Sequence, residues 1–363
     1  MASEMVITPG GARHRSLVHR VEPGSVLDGT AGHHRLLHAS GETLADFGMI
    51  EERAGTRPLM PYNVARPELE APALGSGWIT YAYWNRPSDA ISSFSTSWVV
   101  PPGPATQSGQ LIYLFNGIQS SSMIYQPVLQ WGNNGSFGGN NWCVASWYAD
   151  GQGGAAFHSD PVNVNSGDVL TGVMTLTGQS PQGFSYNCEF TGINNSGYAI
   201  QNVPELWQAV QTLECYNMTQ CSDYPDTPKT EMSGISIQTG ATAADVVWTP
   251  VDTVTDCGQH TLVFAQGAAG HGEIDLWYRS GPYWTVGAGT VAAGTGWTSW
   301  FSWDGSGDVG PQFVQAEPLN TSGYLWTTQL GESLDGNGHL TYWASAQNDG
   351  STDVAFQWRG GGR

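Results

Sequence analysis

From Gly77 to Arg279 apolar and polar residues alternate in short runs: WITYAYW, ISSFSTSWVVPP, QLIYLFNGI, MIYQPVLQWG, NWCVASWYA, DVLTGVMTLTG, GFSYNCEFTG, MSGISIQTG, DVVWTPV, HTLVFAQG and GEIDLWYR. They recur about every 10–20 residues with Gly, Asn, Ser and Pro between them. A period of two broken by turn formers is the pattern of antiparallel strands stacked as a sandwich, which predicts an all-β body over residues 77–279. The stretch VPELWQAVQTLECYN (203–217) is the most helix-like, although Thr212-Leu213-Glu214 also fits a strand. In residues 280–363, WTSWFSWDG, GYLWTTQL, HLTYWASA and DVAFQWRG predict a small C-terminal β unit. Its aromatics fit either a core or a sugar platform. Residues 1–76 carry short apolar pairs without a sustained period. They read as an irregular N-terminal arm, a leader or prosegment that packs on something else.

Composition sharpens this reading. The 363 residues include 48 Gly and 16 Trp but a single lysine, Lys229, which suits twisted aromatic sheets and gives little support to long helices. The formal charge of −19 argues against nucleic acid or an anionic membrane as a partner, because such binding needs clustered Lys and Arg. The first 70 residues hold seven of the twelve basic residues and carry about −2, so the remainder carries about −17. A body this acidic repels itself at neutral pH and sheds charge near pH 4, which favours an acid habitat.

Several chemistries lack their parts. There is no G-x-x-x-x-G-K-[ST], no G-x-S-x-G, no H-E-x-x-H and no Asp-Thr-Gly or Asp-Ser-Gly pair. The five cysteines match no zinc spacing, so the reading invokes no metal and no cofactor. Cys215 and Cys221 are close enough to close a small loop, and Cys143, Cys188 and Cys257 could supply one more bridge. Cysteines hint at an oxidising, extracellular setting, whereas MASEMVITPGG has no apolar core of a secretory signal, which leaves a cytoplasmic setting open. No apolar run approaches the length of a membrane span, and the chain reads as a monomer.

What remains is carboxylate chemistry, and QPVLQWG (126–132) raises it. Alternation places Gln130 on the face opposite Leu129 and Trp131. A primary amide is neither acid nor base at ordinary pH. It can donate hydrogen bonds to an oxygen that gains charge, or simply tie down a neighbouring loop.

Between Ser93 and Ile237 the order of motifs resembles the eqolisins, the glutamic peptidases. The resemblance runs through SFSTSWVVPP, YLFNGI, VLQWG, SWYAD, SGDVLTGVMTLTG and LECYNMTQCSDYP. It implies a two-sheet antiparallel β-sandwich of the concanavalin A-like jelly-roll type and an acid-active endopeptidase acting on protein or peptide. It further implies a catalytic pair, Gln130 as oxyanion donor and Glu214 as general base, with Phe115, Gln119, Trp147 and Tyr148 lining the substrate cleft. LECYNMTQC resembles the family's glutamate followed by a loop closed by cysteines, here Cys215 and Cys221. The sequence departs from the family where Gln119 and Ala149 replace expected acids and Phe115 replaces a tryptophan. Physically, a carboxylate of ordinary pKa, about 4.3, can take a proton from water in acid. The family's basic prosegment suggests the same for the arm here: held by charge at neutral pH, loosened in acid, with self-processing near residues 60–78.

Two other functions compete. GEIDLWYR (272–279) resembles part of the catalytic strand of concanavalin-like β-glucanases and puts Glu273, Asp275 and Trp277 on one face, but the second glutamate such an enzyme needs is missing. A lectin-like sandwich that binds glycan through its C-terminal aromatics and catalyses nothing is the other alternative.

Overall fold

The computed structural model describes residues 4–50, 76–87, 89–150, 154–267, 269–279, 284–302, 312–318, 325–334 and 340–362. The chain divides into two compact units, Met1–Arg279 and Ser280–Arg363.

The arm is more regular than its sequence suggests. It forms β1 (Met5–Thr8), β2 (Gly11–His14), β3 (Val18–Arg20), β4 (Val26–Asp28), β5 (His33–Leu37) and β6 (Thr43–Met49). The body follows with β7 (Gly77–Asn85), β8 (Ile91–Val99), β9 (Leu111–Gln119), β10 (Met123–Trp131), β11 (Trp142–Asp150), β12 (Ala156–His158) and β13 (Val162–Val164). Next come β14 (Val169–Ser180), β15 (Gly183–Phe190), β16 (Tyr198–Val203), β17 (Gln208–Tyr216) and β18 (Lys229–Thr239). The unit closes with β19 (Thr242–Ala243), β20 (Thr249–Asp252), β21 (His260–Ala265) and β22 (Ala269–Trp277).

These strands make the β-sandwich. One sheet runs β20-β7-β17-β9-β10-β11-β12-β3 with β13 on β11; the other runs β21-β22-β18-β8-β14-β15-β16-β4-β5-β6 with β19 on β18. Pairing within the body is antiparallel, whereas the arm joins each sheet through a parallel pairing, β3 on β12 and β4 on β16. The segment that looked most helical is β17, bonded on both sides as a central strand. Burial over almost its whole length explains its continuous apolar texture, which mimics a buried helix.

The core between the sheets takes Leu114, Leu129, Val144 and Leu213 from the first sheet and Phe94, Leu170, Met174, Ile274 and Leu276 from the second. In β14 the other face is open and the alternation is clean. By contrast every residue of β9 and β10 is buried. The outer face of the first sheet carries a second cluster, Trp78, Tyr113, Phe115, Val128, Trp147 and Val210, against which Ile7, Val18 and Phe137 pack. The outer face of the first sheet is thus covered in part by the arm.

The second unit contains two three-stranded sheets around Val291, Val314, Ala344, Phe356 and Trp358. Of its aromatics, Phe356 and Trp358 are core, while Trp297 and Trp326 are about half exposed.

Candidate functional site

Strand register brings the proposed pair together. Gln130 on β10 and Glu214 on β17 each stand opposite Tyr113 of β9, so the three side chains share one row on the covered face. The two outer members are two strand spacings apart, about 9–10 Å along the backbone. Tyr113 lies between them.

Gln130 is already occupied. Its Nε2 donates to the carbonyls of Gly132 at 2.9 Å and Phe137 at 3.3 Å, and its Oε1 accepts from Asn134 at 3.2 Å. Gly138 packs so closely that a Cβ there would lie 2.5 Å from Nε2. The amide therefore ties down the loop 132–139, the second of the two roles its sequence position suggested.

Glu214 is fully buried. Its Oε1 accepts the backbone N–H of Gly10 at 2.8 Å and the Tyr216 hydroxyl, while Oε2 makes no hydrogen bond. Burial raises its pKa to about 7, against the opposing pull of Tyr216, the Gly10 N–H and the Arg13 charge. In this covered state the carboxyl is protonated below neutrality. The expectation of an ordinary carboxylate near 4.3 therefore fails here, because desolvation outweighs the two donors.

What covers the row is the β1–β2 hairpin. Its turn presents Gly10 to Glu214, the Ile7 carbonyl accepts the Tyr113 hydroxyl at 2.6 Å, and the Ile7 N–H reaches the carbonyl of Asn134 at 2.8 Å. Gly10 has φ of 95°, a conformation that glycine adopts freely. Buried Arg13 staples the hairpin by donating to the carbonyls of Gly154 at 2.6 Å and Asp150 at 2.7 Å. The rest of the arm is held by strand pairing and by Asp28, whose carboxylate accepts from Gln201 and Asn202 of the body. Its ion pair to the body, Arg20–Asp160, is partly exposed, so charge contributes less than the sequence implied. The proposed processing region, residues 60–78, lies mostly outside the described residues. A cavity of about 490 Å³ where the arm meets the body, lined by His19, Phe47, Asp150 and Gly154 among others, does not include Gln130 or Glu214.

The remaining candidates divide by side-chain parity. Phe115 and Trp147 lie on the covered face. Gln119 lies there too, farther along β9, bonded to Gln208. Tyr148 does not: alternation turns it inward, where it packs against Tyr125, so it lines no cleft on this face. The proposed Cys215–Cys221 bridge is also overturned, because Cys221 pairs with Cys257. Since Glu214 faces outward its neighbour Cys215 must face inward, and it is a buried thiol in the core. The turn after β17 is instead organised by buried Asp223. Despite burial, donors from Thr106 and Thr219 bring its pKa down to about 2.

The glucanase-like acids lie on the other sheet. Oxygens of Glu231, Glu273 and Asp275 come within 4.8 Å of one another. Lys229 bridges Glu231 at 2.9 Å and Asp275 at 2.8 Å and sits 5.4 Å above the Trp277 ring. A positive charge thus already fills this cluster.

Sequence reasoning missed Tyr113, Tyr216, Gly10 and Arg13. The two tyrosines were within reach of period-two counting, one lying two residues before Phe115 and the other two after Glu214. The hairpin contacts, more than 200 residues apart in one case, carry no local signal.

No family model and no curated protein matches the chain. Among solved structures it is similar to scytalido-glutamic peptidase with a peptide-based transition-state analogue, at TM-score 0.37 and 13% identity over 55% of this chain and 98% of that one. It is also similar to SCP-B, a member of the eqolisin family of peptidases, in complex with the tripeptide Ala-Ile-His, at TM-score 0.33 and 14% identity over 56% of this chain and 98% of that one. These structural neighbours are glutamic peptidases, and a likeness this shallow decides neither activity nor residues.

Proposed function

We propose that the protein is a glutamic-type endopeptidase whose catalytic row is covered by its own N-terminal hairpin. One observation carries this: Glu214 binds a peptide N–H while neighbouring Tyr113 binds a peptide carbonyl, so the row already holds polypeptide backbone. With the hairpin displaced, water reaches Glu214 and its pKa falls back toward the ordinary range. The carboxylate then takes a proton from water as that water attacks the substrate carbonyl, and returns it to the leaving nitrogen. Tyr113 donates to the carbonyl oxygen as charge develops there. Gln130 holds the loop beside the row and adds a second donor when one of its loop bonds is released.

The test is casein hydrolysis between pH 3 and 6 by the full chain, Glu214→Gln and Glu273→Gln. The expected result is a loss of about 100- to 10,000-fold in Glu214→Gln with Glu273→Gln active. Glucan hydrolysis lost only in Glu273→Gln, or glycan binding without turnover, would replace this reading by the corresponding alternative.

A further inference from the structure

Four residues before Gln130, on the same face of β10, lies Gln126. It is fully buried, and among the described residues it is the one buried side-chain amide whose nitrogen and oxygen both lack a hydrogen-bond partner. Leaving a buried primary amide unpaired is costly, and native interiors seldom tolerate it without a reason. Its surroundings are shaped around it. Opposite on β9 is Gly117, where a Cβ would meet Gln126 Cβ at 3.2 Å and Val210 at 3.3 Å. Across the strand pair is Trp147, whose indole N–H is also unpaired, and Thr212 Oγ1 and Glu214 Oε2 are unpaired on β17. These atoms trace a diagonal over the covered face from the catalytic row to Gln126. The hairpin, which satisfies one oxygen of Glu214, leaves them unmet.

We infer that Gln126 is a second anchoring point for substrate, a clamp for one main-chain peptide group. An amide offers a donor and an acceptor side by side, the complement of the acceptor and donor of a peptide unit. Four residues along a strand span about 13 Å, so a substrate extended along β10 meets Gln126 about four residues from the scissile bond. This rests on the peptidase reading and adds to it a preference for substrates long enough to reach.

The test compares the full chain with Gln126→Met, which keeps the shape and removes the amide. Substrates are an unstructured ten-residue peptide and a four-residue truncation with the same scissile bond. For the long peptide KM rises about tenfold at unchanged kcat, for the short one neither changes, and the melting temperature does not fall. An unchanged KM for the long peptide, an equal rise for both lengths, or a lower melting temperature overturns the clamp and leaves the peptidase reading standing. If cleavage does not depend on Glu214, that reading falls, and calorimetric binding of the long peptide decides. Tenfold weaker binding by Gln126→Met keeps the anchor, whereas equal or absent binding removes it.

Discussion

Two groups of carboxylates sit on the outer faces of the two sheets, and their partners differ in kind. Asp275 is neutralised by a cation: Lys229 bonds to it and to Glu231 at once. Burial pushes the Asp275 pKa up, and Lys229 pulls it back. Glu214 has no cation bonded to it: its Oε1 accepts from the Tyr216 hydroxyl and from the backbone N–H of a hairpin tip, and the Arg13 charge acts on it from a distance. A permanent ion pair fixes the proton state of its acid, whereas a hydroxyl of its own strand and one N–H on a displaceable hairpin leave a carboxyl able to gain and lose a proton. That difference supports the proposal that Glu214, and not Asp275, carries the chemistry.

The sharpest way to break the comparison is Tyr113→Phe. If Tyr113 binds the substrate carbonyl as it now binds Ile7, kcat falls roughly 100- to 1000-fold, the usual cost of losing one such donor. Full activity in that variant, measured on a defined peptide, would return the role to Gln130 alone.

A smaller effect concerns pH. Glu214, with its folded pKa raised to about 7, contributes stability that is complete below its unfolded value of 4.5 and lost as pH rises through 7. The difference is worth roughly 3 kcal/mol. Asp223 works in the opposite sense: its contribution is present above 3.8 and lost as pH falls through about 2. The melting temperature should therefore peak near pH 4, between those two bounds, and Glu214→Gln should flatten its neutral side.

The smallest effect is Lys229→Met. It leaves Asp275 buried without its cation and should cost about 1–2 kcal/mol, toward the low end because Lys229 reaches solvent. Thermal denaturation reads that loss, and peptide hydrolysis should not change.

How much of this was legible in the sequence follows from range. The body strands announce themselves by local alternation. β17 did so ambiguously, because a strand buried on both faces loses its period. The strands of the arm are short and join the sheets through β12 and β16, more than 130 residues away, so nothing nearby signals them. Gln130 and Glu214 stood out as candidates because each is polar beside apolar strand residues. Tyr113 did not, because a tyrosine in LIYLFNGI looks like core. The disulfide was misjudged for a related reason. Spacing favoured Cys215 with Cys221, while the side-chain parity set by Glu214 had already turned Cys215 into the core.

The most direct measurement is the initial rate of cleavage of one defined peptide at pH 4 by the full chain and by Glu214→Gln, with the fold of both confirmed by near-ultraviolet circular dichroism. The account predicts a ratio on the order of 1000. Equal rates, or no cleavage by either protein, would contradict it.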